Sequence, residues 1–285
     1  MPSTRDIRRR IKSVKNTAQI TKAMQMVAAS KMRKAQIAAL AGHPYSQLLN
    51  KVLVSLSGTV EHGLHPLLEV REVNKELVLM VSTDKGLCGG LNTNIFREAS
   101  LLNRDNTLYV NTGRKGKQFL ARSKRQMLAD FELIDQPTFL QTKLISKFCI
   151  EKFLSGEVDR VTILFSRFVN TLSQVPTKLT LLPISPLVVN QAAAEGHDGV
   201  AEYQFEPSAP EVLGAILPYY VHFGVFQAIL DARASEHSAR MVAMKSATDN
   251  AKELVTDLTL EYNKVRQAAI TSELLEITTA QMALE

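Results

Sequence analysis

Apolar and small residues recur along the first part of the chain in alternating steps of four and three: Ile7, Ile11, Val14, Ala18, Thr21, Gln25, Ala28, Met32, Ala35 and Ala39. That spacing is the seam of a coiled coil, and its many small side chains let a partner helix come close. From Thr4 to about Ser55, proline and glycine occur only in "GHP" at 42–44. One long helix is predicted there, with Ser3 and Thr4 as N-caps and Asp6 suited to the positive end of the dipole. The C-terminal part repeats the signature at greater length. Its seam runs from Val212, Ile216, Tyr219, Phe223, Phe226 and Leu230 through Arg233, His237, Arg240, Met244, Ala247, Ala251, Leu254, Leu258, Glu261 and Val265 to Ala268, Ser272, Leu275, Thr279 and Met282. Ser208 is the expected cap, with Pro210 just inside. Pro218 is expected to kink or delay the first turns, eased by Gly214 four residues before it.

Between these helices the texture changes. Short apolar runs at 77–82, 107–111, 160–165 and 177–184 alternate with helical patterns at 91–102, 116–122 and 143–154. Strand alternating with helix predicts an open, mostly parallel α/β sheet. Residues 190–208 read as a surface loop. The division expected is an N-terminal helix at 1–57, a connector at 58–75, a Rossmann-like α/β domain at 76–190, a loop at 191–208 and a C-terminal helix at 209–285. Both helices hang from one body, so if they pair they run antiparallel. At 1.5 Å per residue the first spans roughly 75 Å and the last roughly 110 Å, an overshoot of about 20 residues. The overshooting tip, "AITSELLEITTAQMALE", is not stable in water by propensity alone and wants a surrounding partner.

Charge sharpens this picture. Residues 1–34 hold ten Lys/Arg and one acid, Asp6, and the rest of the chain is slightly acidic. A basic arm prompts a nucleic-acid reading, but no aromatic precedes Tyr45 to stack a base. A basic helix face meeting acidic protein surfaces fits better. The Arg-rich, acid-poor start resembles a presequence, yet the helical pattern continues past residue 35 without a cleavage-like break. No apolar run appears long enough to cross a bilayer. Cys88 and Cys149 are far apart with no CxxC, which predicts a reducing compartment and buried or idle thiols.

One stretch raises a chemical question. "LVLMVSTDKGLCGGLNTNIF" (77–96) reads as strand, glycine loop and helix, the unit that often holds nucleotide phosphates. Its spacing, Gly86-x-x-Gly89-Gly90, matches neither GxxxxGK[ST] nor GxGxxG, and no Lys-Ser/Thr follows. Tight turning and close packing explain these glycines better than a nucleotide. Histidines 43, 62, 65, 197, 222 and 237 form no metal signature, and His62-x-x-His65 lies in an expected loop. Arg233, Glu236, His237 and Arg240 read either as a salt-bridged stretch of coiled coil or as a contact to another chain. Methionines 24, 26 and 32 read as core. Nothing carries catalysis, and no cofactor or metal is expected.

Longer motifs go further. "IRRRIKSVKNTAQITKAMQMVAASKMRKAQ", "STDKGLCGGLN", "VNTLSQVPT", "SEHSARMVAMKSATDNA" and "YNKVRQAAITSELLEI" resemble the gamma subunit of F-type ATP synthase. The likeness covers essentially the whole chain, with 103–158 and 190–202 individual to it. It implies a long antiparallel coiled coil of N- and C-terminal helices attached to a Rossmann-like α/β domain. The implied role is a non-catalytic central rotor, one copy per complex. It would couple rotation of the membrane c-ring, driven by proton flow, to conformational change at the beta subunits. The implied partners are alpha, beta, epsilon and the c-ring, with delta as a further candidate, and neither nucleic acid nor directly bound nucleotide. The implied place is peripheral, at the cytoplasmic face of a bacterial inner membrane. Carried over by motif, Met24, Arg33, Arg240, Arg266, Gln267, Thr271 and Glu273 would face the alpha/beta hexamer. Arg266 and Gln267 would hydrogen-bond a loop of one beta subunit. Tyr203, Phe205 and Glu206 would face the c-ring and epsilon. The chain departs from the pattern at Ala280 and Gln281, where Gly-Ala is expected, so helix should continue further toward the terminus. No paired-cysteine insertion of the redox-regulated plastid members is present. The rival readings are an α/β phosphate-binding enzyme with coiled-coil dimerisation arms and a basic coiled-coil adaptor.

Overall fold

A computed structural model describes residues 3–57, 65–184, 206 and 208–282. The elements in order are α1 (Thr4–Ser57), a short 3₁₀ turn (Pro66–Leu68), β1 (Glu76–Val81), α2 (Leu91–Leu101), β2 (Thr107–Thr112), α3 (Arg114–Arg122), β3 (Met127–Phe131), α4 (Phe139–Leu154), β4 (Arg160–Phe168), β5 (Gln174–Leu182) and α5 (Ala209–Met282). The chain divides into two compact units, one of residues 1–28 with 240–285 and the other of 29–239.

In the first unit the predicted seam of α1 is the covered face. Ile7 and Ala28 are buried, and Ile11, Val14, Ala18, Thr21 and Gln25 are half-buried. Ser3 starts the helix: its Oγ accepts from the Asp6 N–H and donates to the Asp6 carboxylate at 2.8 Å. Across the pair, the Thr21 and Thr248 hydroxyls meet at 2.7 Å, and the Arg8 guanidinium donates to the Tyr262 hydroxyl. Residues early in α1 therefore meet residues late in α5, an antiparallel pair. The seam of α5 corrects the sequence reading on one flank. Met244, Thr248, Ala251, Val255, Leu258, Tyr262 and Val265 turn inward, whereas Leu254 and Glu261 are exposed. Every residue from 266 to 282 is exposed.

The second unit carries a five-stranded sheet in the order β3-β2-β1-β4-β5, parallel except for the antiparallel edge strand β5. β1 shows why the sheet is covered on both sides. Leu77, Leu79 and Val81 pack with Ile145, Cys149 and Phe153 of α4 and with Leu217, Val221, Val225 and Ile229 of α5. Val78 and Met80 point the other way, onto Ile95 and Ala99 of α2 and Leu120 of α3. Gly116 lets α3 settle on the sheet, because a Cβ there would stand 2.1 Å from Asn111 Oδ1 and 2.6 Å from Ser82 Oγ.

β3 was not expected from the sequence. It is a short edge strand whose residues are all half-buried, so it has neither an apolar run nor a clean alternation. α4 begins earlier than read, at Phe139, because Thr138 and Gln141 form a reciprocal capping box. α5 starts with the Val212 N–H on the Ser208 carbonyl at 3.1 Å and runs through Pro218 as one helix. The expectation that no apolar run reaches membrane-spanning length also needs correcting. By length and composition, part of α5 does. Its Leu213, Leu217, Val221, Val225 and Ile229 are core residues of the α/β unit, which accounts for that apolarity.

Candidate functional site

The glycine loop between β1 and α2 is held by its own side chains. The Asn92 amide donates to Thr83 Oγ1 at 2.7 Å while its oxygen accepts from the Thr83 N–H at 3.3 Å. The Asp84 carboxylate accepts the first N–H of α3, from Arg114, at 3.1 Å. Gly89 takes a left-handed φ of 58°, which glycine adopts freely. α2 opens at Gly90 with no side-chain cap.

In an open α/β sheet the ligand crevice lies at the carboxyl ends of the strands where the strand order reverses. Here that point is between β1 and β4. The chain's own α5 lies across it. Ser235 Oγ donates to the Ser166 carbonyl on β4 at 2.8 Å, and Ser238 Oγ to the Thr171 carbonyl just beyond β4 at 2.8 Å. Ala239 packs on Cys88 and Leu91 of the glycine loop and α2. Where a nucleotide would be cradled, a helix is seated.

The same stretch of α5 carries a polar cluster. Arg233, nearly buried, donates to the buried Glu236 carboxylate at 2.8 Å and to the Leu133 carbonyl at 3.4 Å, with Asp84 at 3.7 Å. Asp135, in the β3–α4 connection, pairs with Lys31 of α1 and stands 3.5 Å from His237 Nε2. Burial pushes the Asp135 carboxyl up. The Lys31 hydrogen bond and the charges of His237, Lys31 and Arg233 outweigh that and hold it below the ordinary carboxylate value. Arg233, Glu236 and His237 thus bond within the chain. Sequence reading singled out these α5 residues but not Lys31 or Asp135. Asp135 lies in "ELIDQPT", where local pattern gives no sign of a distant partner.

Among the described residues, the remaining candidates do not converge on a pocket. Arg266, Gln267, Thr271 and Glu273 are exposed along the end of α5. Arg33 is exposed, and Met24 and Arg240 are half-buried. Glu206 is exposed, while Tyr203 and Phe205 lie outside the described residues. Arg5, Arg8, Arg9, Arg10, Lys12 and Lys15 are exposed along α1, a basic face suited to acidic protein surfaces. Among the described residues no cluster of His, Cys, Asp and Glu could hold a metal ion.

A family model described as ATP synthase matches residues 3–284. The chain is 53% identical over its full length to the ATP synthase gamma chain of Methylacidiphilum infernorum, covering 100% of both. It is 49% identical to that of Opitutus terrae, covering 99% of each, and 48% identical to that of Akkermansia muciniphila, covering 100% of each. Among solved structures it resembles a chain of the Euglena gracilis mitochondrial ATP synthase rotor, with TM-score 0.67 and 19% identity, over 94% of this chain and 98% of that one. A chain of the Tetrahymena thermophila mitochondrial ATP synthase central stalk and c-ring gives TM-score 0.62 and 25% identity, over 80% of this chain and 99% of that one.

Proposed function

The chain belongs to the ATP synthase gamma chain family, and from that premise we propose how its parts divide the work. It is a non-catalytic subunit, the central stalk of a membrane-associated F-type ATP synthase. The helices at 1–57 and 209–285 form the shaft. The connector at 58–75 and the loop at 191–208 bracket a Rossmann-like domain at 76–190 that meets epsilon and the c-ring. One copy serves each complex, at the cytoplasmic face of a bacterial inner membrane, and proton flow through the c-ring turns it. The shaft then drives each beta subunit through its conformations in turn.

The observation that carries this reading is the end of α5. Past Val265 the helix has no covered face, yet Ile270, Leu274, Leu275, Ile277 and Met282 stand 49% to 77% exposed. A free helix with that apolar surface is unstable alone and fits a surrounding protein sleeve. Met24, Arg33, Arg240, Arg266, Gln267, Thr271 and Glu273 are proposed to touch the alpha/beta hexamer, and Tyr203, Phe205 and Glu206 the c-ring and epsilon. Against the rival phosphate-binding enzyme stands α5 seated in the sheet's crevice.

Purification of the protein with its native partners tests the reading. The expected result is one copy of this chain with alpha, beta and epsilon subunits and the c-ring. A homodimer binding a stoichiometric nucleotide would overturn it.

A further inference from the structure

A rotor must pass torque between its α/β layers and its helices, and this inference rests on that proposed role. Along α5, from Leu213 to Ile229, the contact with the α/β layers is mainly apolar and non-directional, with one hydrogen bond, between His222 and Ser146 of α4. From Arg233 to Ser238 it becomes polar, and each bond reaches a different part of the α/β layers. Arg233 reaches the Leu133 carbonyl and Asp84, Ser235 reaches β4, and Ser238 reaches the turn after β4. Hydrogen bonds and ion pairs have preferred directions, so they fix the angular setting of a helix as apolar packing alone does not. Asp135 extends this to the second helix, since its carboxylate takes the Lys31 ammonium of α1 and faces His237 of α5.

We propose that Asp135 is a torsional tether. By holding Lys31 and His237 together on the β3–α4 connection, it sets the angular position of both helices against the α/β layers and stiffens the joint that torque crosses. Its side chain and that of Lys31 are 47% and 46% exposed. Ion pairs so exposed add little to overall stability, which leaves direction as the tether's main contribution.

The test uses the assembled complex, with the alpha/beta hexamer immobilised and a bead on a cysteine introduced by Arg122→Cys on the outer face of α3. The angular spread of the bead at each pause reads torsional stiffness. Asp135→Asn and Lys31→Met are expected to widen that spread while assembly, melting and mean rotation rate stay unchanged. Asp135→Glu restores part of the stiffness. Adding Lys31→Met to Asp135→Asn widens the spread no further, because both changes remove the same bond. Lys31→Met, at an exposed lysine, carries the test should Asp135→Asn fail to assemble. Equal spread in the assembled variants overturns the tether and leaves the rotor reading standing. Absence of rotation in the unmodified complex overturns both.

Discussion

At the scale of single residues, a buried histidine and a buried alanine show how local chemistry sets stability. His222, on the core face of α5, shares a hydrogen bond of 2.7 Å with Ser146 Oγ of α4. Burial lowers its pKa from 6.5, and the Lys143 charge lowers it further. The folded state therefore favours neutral imidazole. As pH falls through the ordinary histidine value the unfolded chain takes up the proton first, so stability is complete above that value and lost below it. Denaturant unfolding should show a lower midpoint at pH 5.5 than at pH 8. The drop should shrink, without vanishing, in His222→Asn, since His65 is shifted the same way by burial. An undiminished drop would remove His222 as a source. Ala28, 2% exposed in the helix pair, has no room for extra carbon. Ala28→Leu should cost about 1–3 kcal/mol in unfolding experiments. Val27→Leu on the exposed neighbour should change stability by less than about 0.5 kcal/mol.

At the scale of elements, much of this architecture was legible because most elements carry their own period. The α1 seam from Ile7 to Ala39 can be read directly, since a long helix repeats its buried face many times. β1 and β4 can be read because strands buried on both faces become near-continuous apolar runs, Leu77–Val81 and Val161–Phe165 with only Thr162 between; β2 offers the shorter run Leu108–Val110, with Thr107, Asn111 and Thr112 buried beside it. β3 escaped because a half-buried edge strand has no such run. On α5, the choice between Leu254 and Val255, or between Glu261 and Tyr262, depends on which flank the partner helix approaches. Thr21 and Arg8 settle that from residues far away in sequence. The Asp135 tether was illegible for the same reason: its partners come from both long helices. What the unequal helix lengths did predict is an unpartnered end to α5. Amide hydrogen exchange should therefore be fast across 266–282 in the isolated chain and slow in the assembled complex, with 244–262 protected in both. Equal protection of the tip in both states would mean that it needs no sleeve.

At the scale of the whole molecule, the question is how a rotating asymmetric shaft instructs a ring of similar subunits. Arg266 and Gln267 begin the exposed end of α5, immediately after Val265, the last half-covered seam residue. Their side chains are open to an outside partner. An arginine there can make charge-assisted, two-pronged bonds to a carboxylate, worth roughly 1.5–3 kcal/mol each when shielded from water. If, as proposed, they meet one beta subunit at a time, such a bond would form and break in every turn. A bond that must break biases the order of states and adds little to holding the complex together. Arg266→Ala combined with Gln267→Ala should leave assembly intact and lower turnover in both ATP synthesis and hydrolysis. Arg266→Lys should recover only part of the loss, because it keeps the charge and forfeits the planar fork. The measurement is turnover per assembled complex, with subunit stoichiometry checked alongside. Unchanged turnover in a fully assembled double variant would take both residues out of the mechanism and leave the apolar tip, from Ile270 to Met282, as the surface through which the shaft acts on the ring.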